Sequence, residues 1–173
     1  MKALIACLLM AVATPAFAAL KVGAPAPDFT IPASLGGKQF TFRLAEALKK
    51  GPVVVYFYPA AFTKGCSIEA RDFAQAMPQY QAHGASVIGI SSDTIATLNK
   101  FSVSECQGKF PVGADNDRKV MKSYDASLGF LTNMASRTSY VVSQDGRIAF
   151  VHSDMDPEGH VGKTLKAVSD LKR

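Results

Sequence analysis

The sequence contains no tryptophan, no internal repeat and no low-complexity linker, and its charges form no long run of one sign. The 19 lysines and arginines exceed the 14 aspartates and glutamates, but they are scattered, which is typical of a solvated surface. A nucleic-acid-binding protein would concentrate them in a stripe, so we expect no nucleic-acid partner. With 173 residues, 48% of them apolar, the chain is long enough for one domain with its own core.

Long hydrophobic stretches are also missing, except at the N-terminus. Met1-Lys2 is a short positive start, residues 3–13 are apolar, and Ala16-Phe17-Ala18 has the small-x-small form of a cleavage site. This pattern predicts a secretory signal peptide over residues 1–18 and one mature domain over residues 19–173. We expect a periplasmic or secreted bacterial protein that is not bound to a membrane once the leader is removed. An uncleaved leader is the alternative.

Cysteine is scarce. Cys7 falls within the predicted leader, so the mature chain keeps only Cys66 and Cys106. In an oxidising compartment two thiols form either a structural disulfide or a redox pair, and composition alone favours the disulfide.

The cysteine motifs of two other protein classes are absent. A thioredoxin-type oxidoreductase needs Cys-x-x-Cys, but Glu69 stands three residues after Cys66; a copper-delivery protein of similar fold needs a second cysteine where Ala70 stands. The three histidines are dispersed and have no ligand spacing to a cysteine, so we expect neither a metal nor a cofactor. They are His83, His152 and His160.

Hydrophobic patterning predicts strands alternating with helices. Residues 53–58 are β-branched or aromatic without polar alternation, which indicates a strand buried on both faces, and residues 86–90 repeat the pattern. A helix follows each strand, and Asp145-Gly146 predicts the turn of a late hairpin. This order predicts an α/β fold in which a central mixed sheet is flanked by helices on both faces.

Several element boundaries are also predicted. Residues 19–37 are rich in alanine, proline and glycine and indicate a loose lead-in, and residues 110–112 indicate a short strand. Pro78 should kink or end the helix that follows Cys66. Asp93 or Thr94 should cap the next helix. The last helix should begin at Asp156 and pack through a periodic apolar face. That face comprises Val161, Leu165, Val168 and Leu171.

The residues that indicate chemistry lie between the first buried strand and its helix, from Pro59 to Cys66. Binding sites in α/β proteins lie at the carboxyl ends of strands. Cys66 would occupy the first turn of the helix, where unpaired backbone N–H groups favour a thiolate. Thr63 can turn its hydroxyl toward the sulfur or cap the helix, while Pro59 would shield and stiffen the loop. A buried, inert thiol is the alternative for Cys66.

Pro-x-x-x-Thr-x-x-Cys after a hydrophobic strand is the peroxiredoxin signature, and Pro59, Thr63 and Cys66 fill its fixed positions. The sequence resembles the bacterioferritin-comigratory, or Q-type, branch of the AhpC/TSA superfamily from about Gly23 to the last predicted helix. The resemblance implies a thioredoxin-like fold and a thiol peroxidase that reduces hydrogen peroxide and organic hydroperoxides. It implies that Cys66 is peroxidatic, forming a sulfenic acid, and that Arg137 and Thr63 bind the peroxide.

The resemblance also bears on how the sulfenic acid is resolved. Many relatives carry a second cysteine five residues after the first, but that position is Arg71 here. Some relatives resolve from the next helix, so Cys106 is the candidate resolving cysteine, and an external thiol is the alternative. The implied reductant is thioredoxin-like, glutaredoxin-like or a small thiol, and the implied assembly is a monomer or weak dimer.

Two further hypotheses remain open. Glu69 either orients the loop or bridges Arg137, and the alternative is a surface acid of the helix. For the whole protein, the alternatives to peroxidase activity are thioredoxin-like thiol–disulfide exchange and a structural disulfide between Cys66 and Cys106.

Overall fold

The computed structural model describes residues 19–129 and 132–171, so the predicted leader, including Cys7, lies outside the described residues. The described strands are β1 (Thr30–Leu35), β2 (Lys38–Arg43), β3 (Val53–Phe57), β4 (Ser86–Ser91), β5 (Val112–Ala114), β6 (Thr138–Val142) and β7 (Ile148–Ser153). The described helices are α1 (Leu44–Leu48), α2 (Lys64–Ala82), α3 (Ile95–Ser104), α4 (Lys119–Ser123) and α5 (His160–Asp170). Within these ranges no helix is long and apolar enough to span a membrane.

All the described strands form one mixed sheet in the order β2-β1-β5-β4-β3-β6-β7. The central strands β3, β4 and β5 run parallel, and the remaining neighbours pair antiparallel. Strand β3 therefore lies between β4 and β6, with Phe57 opposite Ile90 on one side and Thr138 on the other. This register brings the segments that follow β3 and precede β6 to the same edge of the sheet.

Helices cover both faces of the sheet, as the sequence predicted. Alternate residues of β3 point to opposite faces, so Val54 and Tyr56 pack with α2, α3 and α5, whereas Val55 and Phe57 pack with α1 and α4. Every residue of β3 is buried, which explains its unbroken run of β-branched and aromatic side chains. Tyr56 and Tyr58 belong to the core, as predicted.

The structure corrects the prediction of a loose lead-in over residues 19–37. Residues 30–35 form β1, which pairs with β2 along its whole length and with β5 at Ala33 and Ser34. Pro32, which has no N–H to donate, lies outside the β5 pairing, so it is tolerated in a strand inside the sheet. The predicted strand at residues 110–112 is also shifted, because β5 covers Val112–Ala114.

Of the two predicted effects of Pro78, a kink or an end of the helix, the end is wrong, because α2 continues through it to Ala82. A proline inside a helix costs about 3 kcal/mol. The neighbouring side chains Met77 and Tyr80 are buried against the sheet, and this packing holds the last turn.

The last helix begins at His160 rather than at Asp156. The carboxylate of Asp154 accepts a hydrogen bond from the Asp156 amide at 3.0 Å, and that of Asp156 accepts one from the Glu158 amide at 3.0 Å. These local bonds compete with helix formation and delay it to the residue after Gly159. The buried face is His160, Thr164 and Val168, with Val161 and Leu165 partly buried and Leu171 exposed.

Candidate active site

Cys66 lies in the first turn of α2, at the end of a loop that leaves β3. Phe62 has a left-handed φ of 65°, which redirects the chain, and Thr63 occupies the N-cap position. The first backbone hydrogen bond of the helix runs from the Ser67 amide to the Thr63 carbonyl at 2.9 Å, so the amide of Cys66 has no acceptor within the helix. Cys66 is 2% exposed, so its thiol is shielded from water. It lies at the N-terminal, positive end of the helix dipole.

Arg137, the residue before β6, reaches Cys66 from the neighbouring strand. Its Nη2 donates to Cys66 Sγ at 3.6 Å, its Nε donates to the Met155 carbonyl at 3.0 Å, and its Nη1 donates to Glu69. Burial lowers the pKa of this guanidinium, but the charges of Glu69 and Cys66 outweigh burial and raise it. The structure thus brings together the two predicted residues on which the chemistry depends.

Gly65 makes room for this approach. A Cβ atom at position 65 would lie 3.1 Å from Arg137 Nη2, closer than most side-chain contacts allow. The absence of a side chain therefore lets the guanidinium come within reach of the sulfur. The sequence prediction missed this role, although a glycine directly before the cysteine is a visible signal.

Glu69 is fully buried, so the alternative of a surface acid is wrong and the predicted bridge to Arg137 is present. It lies one turn after Cys66 on the same face of α2. Burial raises the pKa of this carboxyl to about 8, and the charge of Arg137 opposes part of that rise. A carboxyl, a guanidinium and a thiol therefore form one buried polar cluster.

Asp93 holds the loop from the side of β4. Its Oδ2 accepts hydrogen bonds from the Ala61 amide at 2.7 Å and from the Ser91 hydroxyl at 2.8 Å. The N-cap of α3 is Thr94, whose hydroxyl accepts a hydrogen bond from the Thr97 amide at 3.3 Å. Of the two predicted caps, Thr94 is therefore confirmed and Asp93 is wrong. No local pattern in the sequence indicates this contact, which joins residues 32 positions apart.

Thr63 and Pro59 belong to the same loop, but neither shows its predicted contact directly. The Thr63 hydroxyl donates to the Ala60 carbonyl at 3.0 Å and makes no capping bond to the helix. It therefore closes the loop on itself, and a rotation about χ1 is needed to turn it toward the sulfur. Pro59 is half-buried where the loop leaves β3.

Cys106, the predicted resolving cysteine, follows the end of α3 and is fully buried in the same apolar cluster as Cys66. Burial raises the pKa of its thiol, and the neighbouring charge of Glu105 raises it further. Both cysteines of the described residues are free thiols.

Two of the histidines that are dispersed in the sequence meet in the structure. The rings of His152 and His160 lie 4.6 Å apart, and His160 borders the buried cluster around Arg137. Within residues 19–129 and 132–171, no group of three or more histidine, cysteine, aspartate or glutamate side chains could hold a metal ion.

Known proteins with similar sequences belong to one family. The model of the AhpC/TSA family matches residues 22–151. A putative peroxiredoxin of Mycobacterium tuberculosis is 34% identical over 156 residues, covering 87% of this chain and 96% of the relative. A chloroplastic peroxiredoxin Q of Oryza sativa subsp. japonica is 32% identical over 150 residues, covering 86% of this chain and 67% of the relative.

Solved structures show the same architecture. The crystal structure of the peroxidoxin BcpB from Mycobacterium tuberculosis superimposes with a TM-score of 0.80 at 29% identity, covering 89% of this chain and 99% of that one. A peroxiredoxin Q of Xanthomonas campestris gives a TM-score of 0.72 at 25% identity, with 83% and 92% covered. These likenesses confirm the thioredoxin-like fold that the sequence predicted.

Proposed function

The chain belongs to the AhpC/TSA family of peroxiredoxins and is a thiol-dependent peroxidase, and from this premise we propose that Cys66 is its peroxidatic cysteine. The observation that supports this assignment is the 3.6 Å contact between Cys66 Sγ and Arg137 Nη2, both buried at the N-terminus of α2. A guanidinium does not lose its proton at any working pH, so it offers the sulfur a permanent positive charge.

The proposed step begins with the Cys66 thiolate attacking the terminal oxygen of the peroxide in line with the O–O bond. The S–O bond forms as the O–O bond breaks, so the sulfur is oxidised to a sulfenic acid and the peroxide is reduced to water or an alcohol. The leaving oxygen carries away the electron pair of the O–O bond and takes up the proton that the attacked oxygen loses or one from water. Negative charge therefore moves from the sulfur toward that oxygen in the transition state.

Hydrogen-bond donors around the sulfur would stabilise that charge, as an oxyanion hole does. Arg137 supplies a fork of donors. The Cys66 amide, which has no acceptor within the helix, supplies a single N–H. In the proposal, the Thr63 hydroxyl leaves the Ala60 carbonyl and donates to a peroxide oxygen when the substrate enters. Pro59 limits the motion of the loop at its other end.

Trapping of the sulfenic acid tests the assignment of Cys66. The chain is treated with one equivalent of hydrogen peroxide and dimedone, and the labelled cysteine is located by peptide mass spectrometry. We expect the label on Cys66, and we expect Cys66→Ser to abolish peroxide turnover. Cys106→Ser is the matched control and should still consume one peroxide per chain. Full turnover by Cys66→Ser would show that the nucleophile is another group.

We further propose that Cys106 resolves the sulfenic acid as an intramolecular disulfide. Both thiols lie on the same face of the sheet, and Gly108, with a φ of 63°, follows Cys106 where α3 has ended. A disulfide needs Cα atoms within about 7 Å, and in the proposal local opening at the ends of α2 and α3 lets the two cysteines meet. The mass of the peroxide-treated, non-reduced protein tests this: we expect a loss of two hydrogens. An unchanged mass or a persistent sulfenic acid would assign resolution to an external thiol.

The family acts on peroxide with a thiol reductant, and three finer points are proposed for this chain. We propose a thioredoxin-like, glutaredoxin-like or small-thiol reductant, a monomer or weak dimer, and export to the periplasm or beyond. Export is supported by the leader pattern of residues 1–18 alone, whereas some named relatives are chloroplastic. N-terminal sequencing of the protein from a periplasmic fraction should begin at Ala19, and recovery from the cytoplasm alone would contradict export.

A further inference from the structure

His160, the first residue of α5, is fully buried against the cluster that holds Cys66. Its Nε2 lies 3.0 Å from the Asp154 carbonyl oxygen, and its Nδ1 lies 2.8 Å from the Ser139 hydroxyl. Its Nδ1 also lies 3.6 Å from Oε1 of Glu69. The imidazole therefore extends the buried cluster by one more titratable group, on the side of Glu69 away from the sulfur.

The contacts of the ring decide its tautomer. A carbonyl oxygen can only accept, so Nε2 must carry a hydrogen and donate to Asp154. In the neutral ring Nδ1 then carries a lone pair, into which the Ser139 hydroxyl donates. The position of His160 at the positive end of a helix also disfavours a second proton on the ring. The group facing Glu69 is therefore an acceptor.

Glu69 has an unmatched oxygen at this point. Its Oε2 accepts from Arg137, whereas its Oε1 is buried and has no hydrogen-bond partner among the described residues. An ionised carboxylate would aim a lone pair at the lone pair of Nδ1 in a place that water does not reach. A proton on Oε1 removes that repulsion, because the O–H dipole can then point toward Nδ1, which lies 3.6 Å away and accepts its direct hydrogen bond from Ser139.

The charges around the cluster point the same way. If Cys66 is a thiolate and Glu69 is ionised, the single charge of Arg137 faces two buried negative charges; with a proton on Glu69 the cluster is neutral. Other charged or titratable groups acting on Glu69 and His160 come from three elements and the loop after β7. They are Asp72 on α2, His152 on β7, Asp154 in the loop, and Lys163 on α5 beside His152.

We infer that His160 is a positioning residue of the peroxidatic site: its Nδ1 keeps one proton on Glu69, so that the charge of Arg137 is left to the sulfur and the peroxide. This inference rests on the proposed assignment of Cys66. The titration of the two groups agrees with it. Burial raises the pKa of Glu69 to about 8 and lowers that of His160 to about 4, so a shared proton resides on Glu69.

The consequence is a rate that falls in alkali. When Glu69 loses its proton, a negative charge is added beside the thiolate and the leaving oxygen, and Glu69 competes for Arg137. We expect the second-order rate constant for hydrogen peroxide to decline around pH 8, where Glu69 ionises. Removing the Nδ1 acceptor should make the proton easier to lose, and the decline should move toward neutral pH.

The test measures single-turnover oxidation of the full chain from pH 5 to pH 10, with Cys7→Ser and Cys106→Ser so that Cys66 is the reporting thiol. His160→Gln keeps an amide N–H for the Asp154 carbonyl, and with that bond made its carbonyl oxygen does not occupy the position of Nδ1. We expect its alkaline decline at a pH lower by about one unit, a tenfold change in proton affinity. His152→Gln is the matched control, because it changes the adjacent ring without contacting Glu69, and should leave the profile in place.

A second variant keeps the test decisive if His160→Gln does not fold. Ser139→Ala removes the hydroxyl that competes for Nδ1, so the decline should move to higher pH. Profiles of His160→Gln or Ser139→Ala that superimpose on the parent would overturn the inference, as would a parent rate with no alkaline decline. If the parent does not oxidise Cys66 at all, the assignment of Cys66 fails first, and the two failures are distinguishable.

Discussion

Cys66 and Cys106 lie in the same apolar cluster on the same face of the sheet. Their exposed fractions are nearly equal, at 2% and 0%. Their electrostatic surroundings differ. Cys66 has a helix N-terminus and the Arg137 guanidinium, whereas Cys106 has apolar side chains and the negative charge of Glu105. Under the proposed assignment of Cys66 as the peroxidatic cysteine, charge and backbone donors, rather than access, distinguish the reactive thiol from Cys106.

The largest expected difference is in alkylation. With limiting iodoacetamide on the reduced, folded chain, Cys66 should be modified about a thousandfold faster than Cys106, because each pKa unit gained by a thiol lowers its thiolate fraction about tenfold. Peptide mass spectrometry over a time course measures both rates. In denaturant the two rates should converge. Equal rates in the folded chain would remove the electrostatic distinction between the two sites.

Arg137→Ala should lower the rate of Cys66 oxidation by hydrogen peroxide about a hundredfold to a thousandfold, the usual cost of one lost donor in an oxyanion-type site. Stopped-flow single-turnover oxidation measures the rate. Arg71→Ala is the matched control, since it removes an arginine of α2 that pairs with Glu105 rather than with the sulfur. Rates that fall equally in both variants would mean that net charge, and not the contact with Cys66, controls reactivity.

Asp93→Ala tests how much of the reactivity depends on the shape of the loop. Loss of the acceptor for the Ala61 amide should slow oxidation about tenfold, equivalent to one hydrogen bond of about 1.4 kcal/mol. Asp93→Asn keeps an acceptor oxygen and should restore most of the rate. Asn116→Ala, which alters the same turn without touching the carboxylate, is the control. An Asn variant as slow as the Ala variant would rule out a role for this bond.

The polar cluster beside Cys66 should also make stability depend on pH, which the apolar surroundings of Cys106 cannot do at neutral pH. The pKa of Glu69 is raised to about 8 in the folded chain, so its contribution declines as pH rises from 6.5 to 8. The pKa of His160 is lowered to about 4, so the contribution of His160 to stability declines as pH falls from 6.5 to 4. Between pH 4.5 and pH 6.5 this slope opposes that of Glu69.

Urea unfolding measures this dependence. We expect a loss on the order of 1 kcal/mol between pH 6.5 and pH 8. Glu69→Gln, which cannot ionise, should remove that loss, whereas His160→Gln should leave the slope of Glu69 unopposed, so that stability rises as pH falls from 6.5 to 4.5. A parent whose stability is flat from pH 6.5 to pH 8 would contradict the buried titrating cluster.

The sequence predicted most of what lies close together along the chain. The strand pattern, the hairpin turn at Asp145-Gly146 and the position of Cys66 at a helix start are confirmed, since each depends on local spacing. The pairing of Arg137 with Cys66 came from the family resemblance, and the structure places the two in contact. The catalytic roles of Thr63 and Pro59, and resolution by Cys106, stay predictions.

What the sequence could not predict depends on distant contacts. Asp93 had the pattern of a helix cap, and only the turn between β4 and α3 shows that its carboxylate reaches the loop of Cys66. In the sequence, His160 was only one of three dispersed histidines without a ligand spacing, because nothing local places it beside Glu69. Strand β1 was missed because the alanines, prolines and glycines of residues 19–37 are typical of a loop, and only pairing with β2 and β5 shows that residues 30–35 form a strand.

Arg71 stands where many relatives carry their second cysteine, and its guanidinium reaches Glu105 Oε2 at 2.7 Å. This pair joins the second turn of α2 to the residue directly before Cys106. Unwinding the start of α2 would pull Arg71 away and release the segment around Cys106 in the same event. Arg71, which stands in place of a resolving thiol, would thereby make the separation of the two helix ends cooperative. The sulfurs of Cys66 and Cys106 would then become free to meet at the same time rather than one after the other.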